Sequence, residues 1–288
     1  MRKKMDLKVF NLYQYLKEQH SQNFEASYFL ADQDTYENAS VRFPFRTFTY
    51  GIGITYSGKG GAFKIGSTTY QTQAGSLCTI GPGIVSQWMG EYSVTHDTIY
   101  FTEELFKNSL KTSFLKSLPF FLPGGNHVVQ LSDEYVEKMR SLMDCLKQFK
   151  GDADIVTGIV YSLLMLTVKC HQFTSARQQS SASAKEKIAG NFKSFLAQYF
   201  LERKDVAYYA EQLNITPKYL SEVLIAETGR TAKALIEEHL FMEARSLLRQ
   251  TSMTVQEICH WLGYSDNSYF TKAFKKQEGM TPLQYRNL

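Results

Sequence analysis

The chain has 288 residues, 43% of them hydrophobic and 21% charged. That composition supplies apolar material for two domains of ordinary size and excludes a disordered or collagen-like chain. Its net charge of +4 permits a polyanionic partner without requiring one.

The opening MRKKMDLKVF is positive, but no apolar stretch follows it, so no signal peptide is expected. Residues 6–19 place Leu7, Phe10 and Leu16 at near-helical spacing and predict a short helix. From residue 27 to about 101 the texture changes to short β-branched and aromatic runs cut by glycine pairs. This punctuation predicts antiparallel hairpins in a sandwich or barrel. GKGG at 58–61 lacks the spacing and trailing Ser/Thr of a phosphate loop and reads as a hairpin turn. Phe45, Tyr56, Phe63, Tyr70, Trp88 and Tyr100 fall in these runs. They either line a small-molecule pocket or form plain core.

His96 and His127 are isolated from other ligating residues, which argues against a metal site. Without a nucleophile–base constellation or a phosphate loop, no catalytic residue, enzyme activity or cofactor is expected. Cys78, Cys145, Cys170 and Cys259 are scattered, with no CxxC spacing, and read as reduced thiols of a cytoplasmic protein.

Helical patterning begins after 102, with Asp133 and Glu134 favourably placed in a first turn after Ser132. A second long helix is predicted over 152–172. Its apolar run, 155–168, falls short of the roughly 20 residues that a bilayer requires, so a buried helix and no membrane are expected. The polar, low-complexity TSARQQSSASAK at 174–185 reads as an interdomain linker. The expected division is therefore 1–173, a linker at 174–185, and 186–288.

The last part carries a segment twice. YLSEVLIAETGRT (219–231) returns as YFTKAFKKQEGMT (269–281), and Val206, Ala210 and Leu213 return as Val255, Cys259 and Leu262. Two copies make a duplicated unit, since a solenoid needs at least about three. Each copy has the local chemistry of helix, tight turn, helix. Asp205 can cap the first helix, Asn214 stops it, and Thr216-Pro217 starts the next. In the second copy Thr254 and Glu257 form a capping box, and Gly263 occupies the turn position of Asn214. Gly229 and Gly279 mark the ends of the second helices. Between the copies, 231–250 reads as one amphipathic helix. About 18 helical residues span roughly 27 Å, which would hold two recognition helices near the ~34 Å of a DNA turn.

The stretch IxxxLGYSDNSYFTKAFKKQEGMTPLQYR, from Ile258 to Arg286, together with LNITPKYLSEVLIAETG, resembles the DNA-binding domain of the AraC/XylS family of bacterial transcription regulators. GAFKIGSTTYQTQAGSLCTIGPGIVSQW, with Gly75, Pro82 and Gly83, resembles the cupin-like effector domain that often precedes it. In metal-binding cupins a His follows that turn, whereas Val85, Ser86 and Gln87 stand here.

The resemblance implies an α+β chain: an N-terminal cupin-like antiparallel β-barrel with a helical pair, then an all-α double helix-turn-helix domain. It implies duplex DNA as partner, admits RNA polymerase as another, and implies a homodimer formed through helices 132–149 and 152–172. A small-molecule effector of unknown identity would bind in the N-terminal domain, at the six aromatic residues above. The rival reading is a cupin-type enzyme or carbohydrate-binding module with a helical interaction tail. Expected DNA-binding residues are Thr216, Lys218, Tyr219, Ser221 and Glu222 in the first copy. In the second they are Asn267, Ser268, Thr271, Lys272, Lys275, Lys276 and Arg286. The thirteen Lys/Arg of 186–288 face twelve Asp/Glu, so the attraction is local, centred on Lys272, Lys275 and Lys276.

Overall fold

The computed structural model describes residues 27–31, 43–89, 95–107, 113–181 and 183–288. The helix expected over 6–19 lies outside them. Among the described residues nine strands form two antiparallel sheets. Strands Tyr28–Ala31 (β1), Tyr50–Ser57 (β3), Ser76–Ile80 (β6), Thr95–Phe101 (β8) and Val128–Gln130 (β9) pair in the order β1-β8-β3-β6-β9. Strands Phe45–Arg46 (β2), Lys59–Ile65 (β4), Thr68–Gln73 (β5) and Val85–Met89 (β7) pair as β2-β7-β4-β5.

The expected barrel is therefore corrected to two open sheets, with no pairing that joins them among the described residues. GKGG is corrected as well. β3 and β4 belong to different sheets, and Gly58, at φ 97°, marks a corner between them. Alternation and turn chemistry are the same in a sandwich and a barrel. Closure depends on edge pairing, which leaves no local mark in the sequence.

The five-stranded sheet is buried on both faces. Along β3, Tyr50, Ile52 and Ile54 join the core under the helices, together with Leu77, Ile99 and Phe101. The intervening Gly51 faces the second sheet, where a Cβ would come 2.7 Å from Ile80 Cγ2. Glycine at this strand position is thus a requirement of close packing, as it often is inside strands. Phe45, Phe63, Ile80 and Tyr100 fill the space between the sheets.

Helix Asp133–Gln148 (α1) buries Val136, Met139, Met143 and Leu146, a single stripe at helical spacing. Helix Ala153–Ser181 (α2) buries Val156, Val160, Leu163 and Leu164 in the same core. By length and composition its first 22 residues could cross a bilayer. The apolar run of 155–168 is thus part of a helix of 29 residues. The backbone of 174–181, read as linker, continues that helix. The segment contains neither Pro nor Gly, so nothing in it breaks a helix already under way.

Beyond Ser183 the chain is helical: Ala184–Tyr199 (α3), Val206–Gln212 (α4), Pro217–Thr228 (α5), Ala232–Gln250 (α6), Val255–Trp261 (α7), Asn267–Glu278 (α8) and Pro282–Arg286 (α9). The capping chemistry is as expected. Asp205 accepts from the Tyr208 amide at 2.8 Å, Thr216 from that of Tyr219 at 3.2 Å, and Thr254 and Glu257 complete a capping box. The two interhelix turns adopt left-handed backbone at equivalent residues, Asn214 at φ 54° and Gly263 at φ 68°. Gly229 and Gly279 close α5 and α8 in the same region, at φ 72° and 76°. One core serves all seven helices, built on Phe192, Leu220, Leu224, Phe241, Phe270 and Phe274.

Two buried histidines, His127 and His171, and the half-buried His239 make the fold acid-sensitive. Burial pushes His127, His171 and His239 down to about 4. In the unfolded chain each takes a proton near pH 6.5. Between those values the unfolded state binds more protons, so stability present above about pH 6.5 is lost as the pH falls toward 4. Denaturant midpoints measured from pH 7.5 to 4 are expected to fall steadily through this window. His171 stacks on Phe120 with centroids 4.4 Å apart, and His171→Phe is expected to reduce the slope. A midpoint flat down to pH 4.5 contradicts the assignment.

Candidate nucleic-acid interface

In each repeat the second helix buries one face and leaves the other open. α5 buries Leu220, Val223 and Leu224, and α8 buries Phe270 and Phe274. Around these anchors the expected residues come together on the outer faces. Lys218, Tyr219 and Glu222 are exposed on α5, with Ser221 half-buried beside them. On α8, Asn267, Ser268, Lys272, Lys275 and Lys276 are exposed and Thr271 is half-buried. Tyr219 and Tyr269 occupy equivalent positions, 39% and 57% exposed. A tyrosine left this open beside lysines suits contact with a sugar–phosphate backbone. Thr216 is committed to its cap.

Arg286 does not join this face. Its Nε donates to Leu248 O at 3.2 Å and its Nη2 to Met253 O, so the guanidinium is occupied by the end of α6 and the following loop. Its proximity in sequence to the lysines does not carry over into space. A second structural cation, Lys204, donates from Nζ to Leu262 O and lies 5.0 Å from the Tyr264 ring centroid. It ties the loop before α4 to the turn of the other repeat.

The two recognition helices are mounted at the ends of α6, whose 19 residues make a rod of roughly 28 Å. A polar band on this rod grips the sheets. Glu243 pairs with Arg46 of β2, and Glu238 with both Lys64 of β4 and Arg230. The Arg46 amide also donates to Gln250 Oε1 at 2.9 Å. Sequence reasoning missed this clamp. Its partners lie 174 to 204 positions apart, and each reads locally as an ordinary surface charge.

The six aromatic residues named as effector candidates divide into three places. Phe45, Phe63, Trp88 and Tyr100 meet between the sheets, where Phe63 and Trp88 stack at 4.4 Å and the free space is about 20 Å³. Tyr56 lies under α1, donating to Asp97 Oδ2 at 2.9 Å with the Arg140 guanidinium 4.1 Å from its ring centroid. Tyr70 lines a different cavity, at the junction with the helical part. Among the described residues no group of three or more His, Cys, Asp or Glu is arranged to hold a metal.

Two capped helix-turn-helix units on one rod, with lysines and tyrosines on the unburied faces, define a DNA-binding transcription regulator. A helix-turn-helix domain family matches residues 209–288. The chain is 25% identical over 200 residues to the HTH-type transcriptional activator RhaR of Enterobacter sp. (strain 638), covering 67% of this chain and 69% of the relative. It is 22% identical over 195 residues to RhaS of Escherichia coli (strain SE11), covering 66% and 70%. Among solved structures, the C-terminal domain of AraT, a response regulator from Geobacillus stearothermophilus, is 31% identical. That match covers 36% of this chain and 88% of the AraT chain, with a TM-score of 0.35. The helix-turn-helix match and the RhaR and RhaS relatives support an AraC/XylS-family regulator.

Proposed function

We propose that this regulator is ligand-responsive and cytoplasmic, with a cupin-like sensing and dimerising domain at 1–173 and a DNA-binding domain at 186–288. Residues 174–185 join them. The reading rests on one observation: α6 carries both recognition helices and is itself clamped to β2 and β4. Any small molecule that prefers one arrangement of the sheets against α6 shifts the presentation of both helices. The dimer forms through α1 and α2, where Phe149, Ile155, Tyr161 and Phe173 are exposed. RNA polymerase is a further partner, and no catalytic role is assigned.

A fragment starting at Ser183 keeps the capping box that Ser183 forms with Glu186. It is expected to fold alone, because its core draws on residues 189–285. It should bind duplex DNA with an affinity that falls log-linearly with salt. A folded fragment that ignores DNA at low salt overturns the reading.

The two recognition helices divide the work. Lys272 can donate to guanine or phosphate, whereas Glu222 only accepts, as from cytosine N4, and is repelled by phosphates. Glu222→Ala is therefore expected to leave overall affinity equal or better while relaxing base preference in one half of the site. Relative affinities for a set of singly altered duplexes check this. Unchanged ratios throughout would remove Glu222 from base reading.

A further inference from the structure

One lysine at the junction lacks what its neighbours have. Arg46, Lys64 and Arg230 each hold a carboxylate. Lys193 on α3 is partly buried, and it has no ion-pair or hydrogen-bond partner among the described residues. Burial without a counter-ion lowers its hold on the proton. An ammonium so placed is stabilised by any anion that reaches it.

The space beside it is large enough for one. Gly190, Lys193, Ser194 and Ala197 recur at helical spacing and form one wall of a cavity of about 650 Å³. The opposite wall comes from the β4–β5 turn and the 123–127 loop. Among the described residues only three charged side chains line it: Arg46 and Glu243, which neutralise each other, and Lys193. The cavity therefore carries one uncompensated positive charge. His239 also lines it and stays neutral at pH 7. Its Nδ1 is buried and has no hydrogen-bond partner among the described residues.

The rest of the lining sets the ligand's polarity. Ser67, Thr68 and Asn126 present hydroxyl and amide groups, and several other positions are glycine. A long acyl chain would leave these groups unpaired, whereas a hydroxylated ligand would satisfy them. The space between the sheets, at about 20 Å³, is too small for an organic ligand of this kind.

We propose that this junction cavity binds a small hydroxylated carboxylate of the sugar-acid class, its carboxylate on Lys193 and its hydroxyls on Ser67, Thr68 and Asn126. The proposal rests on the ligand-responsive reading and deepens it. A ligand held by α3 on one side and the sheets on the other stabilises one arrangement of the clamp.

Isothermal titration of the full chain with D-gluconate, D-glucuronate and D-galacturonate, with D-glucose as neutral control, tests it. At least one acid is expected to bind and glucose is not. Lys193→Met should weaken that acid by tenfold or more, and Lys193→Arg should retain most of the affinity. Gly190→Met blocks the cavity by a second route. A Cβ there meets nothing within 4 Å, and losing a helix glycine favours folding. This variant should therefore keep its thermal midpoint while losing the acid.

Failure of all three acids to bind overturns the inference, as does equal binding by wild type, Lys193→Met and Gly190→Met. A DNA-binding arm separates the two claims. An acid that depends on Lys193 but leaves DNA affinity unchanged supports the cavity and refutes ligand responsiveness.

Discussion

Lys272→Ala and Lys276→Ala are each expected to weaken duplex binding about fivefold near 0.15 M salt, and the double variant about thirtyfold. The figures follow from counterion release. Each neutralised phosphate contributes a slope of about −0.9 in log affinity against log salt, so losing one contact at that salt removes a factor of roughly five. Both lysines are exposed on α8, and neither forms a salt bridge among the described residues. Their whole charge is therefore available to DNA. The slope should flatten by about 0.9 for each lysine removed. Lys187→Ala, an equal change of charge at an exposed position of α3, is the control and should leave the slope unchanged. Equal effects at all three positions would mean that net charge, and not the α8 face, sets the affinity.

Glu238→Gln is expected to destabilise the full chain by about 3 kcal/mol, the usual cost of leaving a buried charge uncompensated. Glu238 serves two cations at once. Arg230 is 40% exposed and can rehydrate, but the Lys64 side chain is only 12% exposed and faces the junction. Glu243→Gln should cost less, because its partner Arg46 is 25% exposed and keeps a bond to Gly83 O. Chemical denaturation measures both. The Glu238 variant should also separate the single transition into two, since the sheets and helices have distinct cores and are held together by this clamp. Replacing Lys64 and Glu238 together with Met should recover most of the loss. A Glu238→Gln chain as stable as wild type would show that the clamp contributes nothing.

How much of this was legible depended on how local each signal was. The helical part was readable nearly residue by residue. Caps at Asp205, Thr216 and Thr254, left-handed turns at Asn214 and Gly263, and the paired terminal glycines act within four residues of themselves. Repetition then gave each of these signals an independent second instance. The sheets were legible as hairpin texture, but their partition into two was not. It depends on which edges pair, and Gly58 looks the same at a corner as in a hairpin. Low complexity misleads at 174–181, where polar composition predicts irregular chain although no helix breaker is present. Arg286 shows the limit of reading function from neighbours in sequence, because its guanidinium turns inward to backbone carbonyls. The junction was invisible. Lys193 reads as a solvated charge on an amphipathic helix until the loop of 123–127 and the β4–β5 turn are brought against it.

The central claim is that two recognition helices at the ends of one 19-residue rod read successive turns of duplex DNA. Selection of bound sequences from a random duplex pool by the full-length protein tests it most directly. The account predicts an enriched motif of two blocks whose centres lie about 10–10.5 base pairs apart. The block contacted by α8 should be the one whose loss costs most affinity. Recovery of no motif, or of a single block indifferent to spacing, would contradict it.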